Sequence, residues 1–299
     1  MHTPFMYGEY MKTKIKDCFI KGLIVLAAAS IAALMMLMVL HILKESIPAF
    51  LQEGMDMFRA DTQWRPVSAK AQFGLLPALA GTLYISFAAV LLALVLGVGC
   101  AFFLNFYVPD KFAKVLLSFI DLVAGIPSVI FGFIGLTVLV KWLAAKLHMA
   151  AGQCVLAACI VLGIMLLPFV VSTCCESIQN ARGQYELAGY ALGFSKEMLI
   201  VKIIFPAIRP GIIAAAMMAF GRGIGETMAV MMVVGNSPIY PELFGRGQTI
   251  AALTALEMGS IEYGSTHLSV LYAANAVLLA MLVLVMICGW ILRRIDRDE

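Results

Sequence analysis

Two ionisable residues sit inside an otherwise apolar run of this 299-residue sequence. Between Gly211 and Gly235 the chain reads GIIAAAMMAFGRGIGETMAVMMVVG, and only Arg222 and Glu226 carry charge. An arginine at mid-bilayer costs about 2.5–3.5 kcal/mol on insertion scales, so such residues face a bundle interior or a polar path. Plotted as a helix, Ala215, Ala219, Arg222, Glu226 and Ala229 share one face, while Met217, Phe220, Ile224, Met228 and Met231 share the opposite one. A face of small residues lets a second helix or a water-filled path come close. The guanidinium group has a planar donor fork that binds two oxygens of an oxyanion. The expectation is that Arg222 meets a passing anion and that Glu226, one turn on, pairs with it and tunes its charge. Thr227 adds a hydroxyl at similar depth, and Asn236 meets the anion at the outer end of the run. The competing reading is that Arg222 and Glu226 only neutralise one another and fix helix packing.

The rest of the chain sets this pair in a membrane. Hydrophobic residues make up 62% and charged residues 13% of the sequence, with a mean hydropathy of +0.96. Soluble domains carry about 45–50% and about 25% respectively. A soluble enzyme is excluded, and so is a disordered chain, which needs low hydrophobicity and high charge. A net charge of +3 without a basic, aromatic-interleaved run excludes a nucleic-acid binder. Seven cysteines (Cys18, Cys100, Cys154, Cys159, Cys174, Cys175 and Cys288) fall mostly in apolar runs, no C-x-x-C occurs, and four histidines are scattered. Neither a metal site nor a disulfide framework is expected, and no cofactor. The chain has no G-x-x-x-x-G-K-[ST], no G-x-S-x-G and no H-E-x-x-H. It is read as a transport subunit and not an enzyme; energy for active transport comes from another chain or an ion gradient.

A spanning helix needs about 20 apolar residues. Stretches poor in Asp, Glu, Lys and Arg give six spans, near 20–43, 78–106, 118–140, 151–175, 210–235 and 268–292. The first apolar run, from Gly22, is longer than a signal-peptide core and reads as a retained span. Pro127 and Pro168 fall inside spans and are read as kinks that neighbouring helices absorb. With the N-terminus cytoplasmic, thirteen of the 21 basic residues fall on the cytoplasmic side and seven outside, which places both termini inside. The chain then divides into a cytoplasmic segment 1–19, a transmembrane domain 20–292 and a cytoplasmic tail 293–299. The outside segment 44–77 carries Ile47, Phe50, Leu51, Met55 and Phe58 at the spacing of an interfacial amphipathic helix. The inside segment 176–209 reads as a projecting helical hairpin. Its core, Gln184 to Phe194, is apolar, and an apolar loop facing water marks a partner surface.

The stretch ELAGYALGFSKEMLIVKIIFP, Glu186 to Pro206, resembles the cytoplasmic-loop motif of ABC importer permeases: an E-A-A, a Gly, then I-x-L-P. Gly193, Ile203 and Pro206 stand at the expected spacing. Phe205 replaces the Leu, and Glu186 lies one residue early, its place taken by Leu187. Four further segments, GRGIGETMAVMMVVGN (Gly221 to Asn236), WRP (Trp64 to Pro66), FGLLPALAGTLYIS (Phe73 to Ser86) and DLVAGIPSVIFG (Asp121 to Gly132), resemble the PstC-type phosphate permease family.

The resemblance covers roughly residues 46–292. It implies an all-α polytopic protein with six transmembrane helices and a MetI-like core, in the bacterial inner membrane. It also implies an ATP-driven inorganic phosphate importer in which this chain forms half the pore. Its partners would be a sister permease (PstA-like), P-loop ATPase subunits (PstB-like) and an extracytoplasmic phosphate-binding protein (PstS-like). Residues 184–196 are then expected to form a short helix docked in a groove of the ATPase through Glu186, Ala188, Gly189, Tyr190, Gly193 and Phe194. A permease for phosphonate or sulfate is the nearest alternative. An ion-gradient-driven carrier is a further one; such carriers often show inverted repeats, and none is evident here.

Overall fold

The computed structural model describes residues 4–68 and 70–298. Residues 1–3, 69 and 299 lie outside it, so the end segments 1–19 and 293–299 are described only in part. In chain order the helices are α1 (Pro4–Gln52), α2 (Leu76–Phe106), α3 (Asp110–Ala124), α4 (Ser128–Ile134), α5 (Val140–Leu147) and α6 (Val155–Ala191). They continue as α7 (Lys196–Leu199), α8 (Phe205–Ala207), α9 (Arg209–Ile224), α10 (Met228–Val233), α11 (Ile250–Glu257) and α12 (Thr266–Asp298). Widened turns join α4 to α5 over Gly135–Leu139 and α7 to α8 over Ile200–Ile204. A two-residue hairpin pairs β1 (Trp64–Arg65) with β2 (Gln72–Phe73).

Five helical stretches are long and apolar enough to cross a bilayer: Ile20–Gln52, Leu76–Phe106, Ser128–Leu147, Val155–Ala191 and Thr266–Leu292. A sixth arises if Lys196–Ala207 and Arg209–Ile224, which meet at 58°, count as one broken span. The result is an all-α polytopic membrane protein. α6 is its axis: two thirds of its most apolar window is buried, and Leu162, Leu166 and Ile178 are wholly enclosed. Gly163 explains how closely α2 lies against it, because a Cβ there would come within 2.5 Å of Leu92. In a bilayer, where lipid is as apolar as leucine, such small-residue contacts supply the van der Waals packing that holds helices together. α1 packs on α12, and its most apolar window is entirely exposed.

The structure differs from the sequence expectation in two places. The residues Ile47 to Phe58 do not form a separate interfacial helix. α1 runs on to Gln52, and a short 3₁₀ turn follows at Asp56–Phe58. The expected span 118–140 is interrupted between Ala124 and Ser128. Gly125 caps α3, Pro127 disfavours helical geometry at Ile126 before it, and Pro127 itself has an extended ψ of 137° before α4 begins. The crossing stretch is instead Ser128–Leu147, while α3 buries none of its residues and is tied to α6 by Ser172 Oγ donating to Asp121 at 2.8 Å. Pro168 lies inside α6, which continues as one element to Ala191.

The W-R-P segment acquires a role in the fold. The Trp64 indole N–H donates to Glu257 Oε1 at 2.8 Å, and His267 Nε2 lies 2.7 Å from Glu257 Oε2. Trp64, Phe73 and His267 meet as an aromatic trio with centroids 5.5–5.9 Å apart. One carboxylate thus ties the β-hairpin to α11 and to the start of α12. Trp64→Phe keeps the ring and deletes the donor. A hydrogen bond to a charged group contributes about 1.5–3 kcal/mol, so the purified variant should unfold several degrees below the wild type in a thermal melt. An unchanged midpoint would remove this tie from the account.

Candidate substrate path and coupling surface

The charged run is two helices, not one. α9 ends at Ile224, Gly225 caps it, and α10 starts at Met228. Gly221, Gly223 and Gly225 make this the weakest helix-forming stretch of the run. Breaking a helix inside a membrane leaves carbonyls of α9 and amides of α10 without helical partners. Glu226 answers this directly: its Oε1 accepts a hydrogen bond from the Ala229 amide at 3.1 Å, capping α10 with a negative charge at a positive helix end. Arg222 lies in the last turn of α9, where the helix end is negative.

The expected Arg222–Glu226 ion pair does not form; among the described residues no carboxylate lies within 4 Å of the Arg222 guanidinium. The guanidinium lies over the Phe169 ring of α6, 4.3 Å from its centroid, and Arg222 is exposed. Glu226 is only 9% exposed. The shared face also comes apart. Ala215, Ala219 and Ala229 are buried within the chain, and α4 closes on α10 so tightly that a Cβ on Gly132 would come within 2.9 Å of Ala229 Cα. The small residues are a packing surface, and Arg222 alone of the face looks outward. The helical arithmetic failed because it assumed one helix through Gly225.

Thr227 Oγ1 donates to the Gly225 carbonyl at 3.3 Å, so its hydroxyl serves the break itself. Asn236 stands past the far end of α10 with a positive φ of 46°. Its Nδ2 donates to the Met231 carbonyl at 2.8 Å, and its Oδ1 is buried without a partner. Arg222, Glu226 and Thr227 therefore gather at the break, and Asn236 sits one short helix away. The partner that sequence reasoning missed is Phe169, whose only signal was an aromatic residue in a neighbouring span.

The second site is the turn after α6. The expected short helix over 184–196 is the continuous end of α6, closed by a glycine cap. Gly193 has φ 79°, Phe194 N–H donates to the Gly189 carbonyl at 3.1 Å and Gly193 N–H to the Tyr190 carbonyl at 3.0 Å. This double bond pattern around a left-handed glycine is a standard helix stop. Gly189 is needed for a different reason: a Cβ there would lie 2.5 Å from Leu199, which is fully buried against it. Ala188 and Tyr190 are exposed, and Phe194 is half-buried.

Glu186 is paired within the chain. Arg182, one turn earlier, holds both its carboxylate oxygens at 3.0 Å. The exposed large apolar side chains here include Leu187 at 86% and Leu192 at 77% exposure; the motif alignment named Leu187 only as the residue in the Glu position, and did not name Leu192. Their signal was apolar character in a solvated turn. Leu187, Tyr190 and Leu192 are exposed within this one turn and make it an apolar knob.

A bundle of apolar spans, one of them broken around charged residues, with an apolar knob between two helices, is the architecture of a polytopic membrane subunit. The chain belongs to the family described as binding-protein-dependent transport system inner membrane component, whose pattern matches residues 93–298. It is thus a multi-pass inner-membrane permease of an ABC importer. It is 33% identical to the probable ABC transporter permease protein YqgH of Bacillus subtilis (strain 168), over 86% of this chain and 83% of that one. It is 34% identical to the probable phosphate transport system permease protein PstC of Methanocaldococcus jannaschii, over 82% and 83%. With the phosphate transport system permease protein PstC of Xylella fastidiosa (strain Temecula1) it shares 32% identity over 98% and 95%. Among solved structures, a chain from the inward-facing MetNI methionine ABC transporter superposes with a TM-score of 0.58 at 18% identity, covering 74% of this chain and 95% of that one. That likeness establishes a MetI-like fold.

Proposed function

We propose that this chain is the transmembrane permease of an ATP-driven inorganic phosphate importer, forming half of the translocation pore with a sister permease. A P-loop ATPase docks on the knob at 187–194, and an extracytoplasmic binding protein delivers phosphate to the opposite side. Both termini are cytoplasmic. The observation that carries the reading is the Arg222 guanidinium: exposed at a break in an apolar helix and stacked on Phe169, with no carboxylate of the described residues against it. The PstC names of relatives matched over most of the chain support phosphate as its anion.

The geometry suggests how an anion is held and let go. Glu226 is occupied capping α10, so Arg222 keeps its full charge for the anion. Stacking on Phe169 orients the planar fork. The fork offers two parallel donors to two phosphate oxygens. One cation against an anion carrying one or two charges binds without trapping, because a single fork leaves the remaining oxygens to water.

A fork of this kind accepts any tetrahedral oxyanion, which makes sulfate and phosphonate the relevant competitors. Cells lacking their other phosphate uptake routes and expressing this chain with its partner subunits should take up radiolabelled phosphate. The delivering binding protein, not the fork, selects the anion, so a large excess of sulfate or phosphonate should leave that rate nearly unchanged. Displacement by sulfate as effective as by unlabelled phosphate would overturn the assignment of phosphate. Topology has its own test. Reporter fusions after Leu147 and Arg246 should signal outside, and a fusion after Arg182 inside; an outside signal at Arg182 would invert the orientation.

A further inference from the structure

The end of α2 is held by two cations that come from either side of the coupling turn. α2 stops at Phe106, and its last carbonyls lack helical partners. Arg182 of α6 donates from Nη1 to the Asn105 carbonyl, and Lys196 of α7 donates from Nζ to the Phe106 carbonyl. Both cations also sit over aromatic rings of the same helix end: Arg182 at 4.9 Å from the Phe106 centroid and Lys196 at 4.4 Å from that of Tyr107. The far side of Arg182 is fixed by both oxygens of Glu186. Positive groups at a helix C-terminus satisfy orphan carbonyls and complement the helix dipole together.

α2 is placed to carry what this end receives. Its 31 residues rise about 1.5 Å each. Along its length it passes Ser86, whose Cβ is 3.6 Å from the Cβ position of Gly223, the residue next to Arg222. Near its other end Thr82 Oγ1 accepts from the Ile250 amide at 3.0 Å, and a Cβ on Gly81 would collide with the Gln248 carbonyl. One rigid helix therefore touches the turn after α6, the break beside Arg222 and the start of α11.

We propose that Arg182 and Lys196 are positioning residues that clamp the coupling turn to the end of α2, so that α2 carries movement of the turn to the break at Arg222. Glu186 holds the clamp from within the chain instead of reaching the ATPase. This inference rests on the docking of the ATPase at 187–194 proposed above.

The test uses the complete complex, with sister permease, ATPase and binding protein, in proteoliposomes. The Arg182→Gln, Lys196→Gln double variant should still bind the ATPase and hydrolyse ATP at close to the wild-type rate. Phosphate moved per ATP should fall about tenfold or more, the size of a typical coupling between sites. Lys196→Arg, which keeps a cation at the carbonyl, should restore most of the ratio in the Arg182 background. Loss of hydrolysis and uptake in parallel would make the clamp a folding device and overturn the proposal. Leu192→Asp separates the two claims: unchanged ATPase binding in that variant sinks the docking reading, whatever the clamp variants do. Spin labels at Leu96 and Glu197 in the otherwise wild-type complex give a readout independent of variant folding. Their separation should stay constant between nucleotide-free and ATP-bound states, and a separation that changes would show that α2 does not travel with the turn.

Discussion

Leu192→Asp is expected to leave the chain inserted and folded while stripping the ATPase from the complex. Leu192 and Leu187 are exposed on a turn held rigid by the glycine cap at Gly193, so the substitution removes no internal contact of weight. Seating a leucine in an apolar groove contributes about 1.5–3 kcal/mol. An aspartate in the same groove adds the cost of desolvating an unpaired charge. Together these amount to at least about 3 kcal/mol, or roughly a hundredfold in dissociation constant. Titrating purified ATPase onto the solubilised permease pair measures this directly. Leu187→Asp should act in the same direction, and Glu186→Gln should have the smaller effect on binding, because Glu186 is engaged by Arg182. Wild-type binding by Leu192→Asp would remove the knob as the docking surface.

Arg222→Gln is expected to abolish phosphate uptake in a complex that still assembles. Hydrogen bonds to charged groups contribute about 1.5–3 kcal/mol each, and a fork supplies two, so the loss exceeds about a hundredfold in rate. Arg222→Lys keeps the charge but loses the planar fork and much of the stacking on Phe169, and should recover only a small part of the rate. Glu226→Gln distinguishes the observed geometry from an ion pair. An amide oxygen still accepts from the Ala229 amide, so a capping role predicts a mild loss. A salt-bridge role predicts a loss as deep as that of Arg222→Gln. Uptake at the wild-type rate by an assembled Arg222→Gln complex would make Arg222 a packing residue.

How far these sites were legible depended on whether their cause was local. The apolar runs, the polar break-up of the chain and the apolar turn at 184–194 are matters of composition within a short window, and they read directly. The outward position of Arg222 was half legible. Its charge in an apolar run is visible, but the partner Phe169 lies on another helix, and Glu226 turned to the α10 amides because Gly223 and Gly225 break the helix between them. Three glycines in five residues were a signal against a single uninterrupted helix, outweighed by the regular spacing of alanines. The clamp on α2 was not legible at all: Arg182 and Lys196 read as ordinary basic loop residues until folding brings them to carbonyls 77 and 90 positions away. The contact between Trp64 and Glu257, 193 residues apart, is of the same kind. The W-R-P segment could be noticed, but its function could not be read from its neighbours.

Reconstitution with its sister permease and ATPase in sealed vesicles tests whether this chain is the permease half of an ATP-driven phosphate pore. Radiolabelled phosphate and the binding protein are supplied on the outer side and ATP on the side of the ATPase. Phosphate should accumulate only with hydrolysable ATP and binding protein, and accumulation should persist when ionophores collapse every ion gradient. Accumulation that survives removal of ATP but stops with the ionophores would contradict that role and identify a gradient-driven carrier instead.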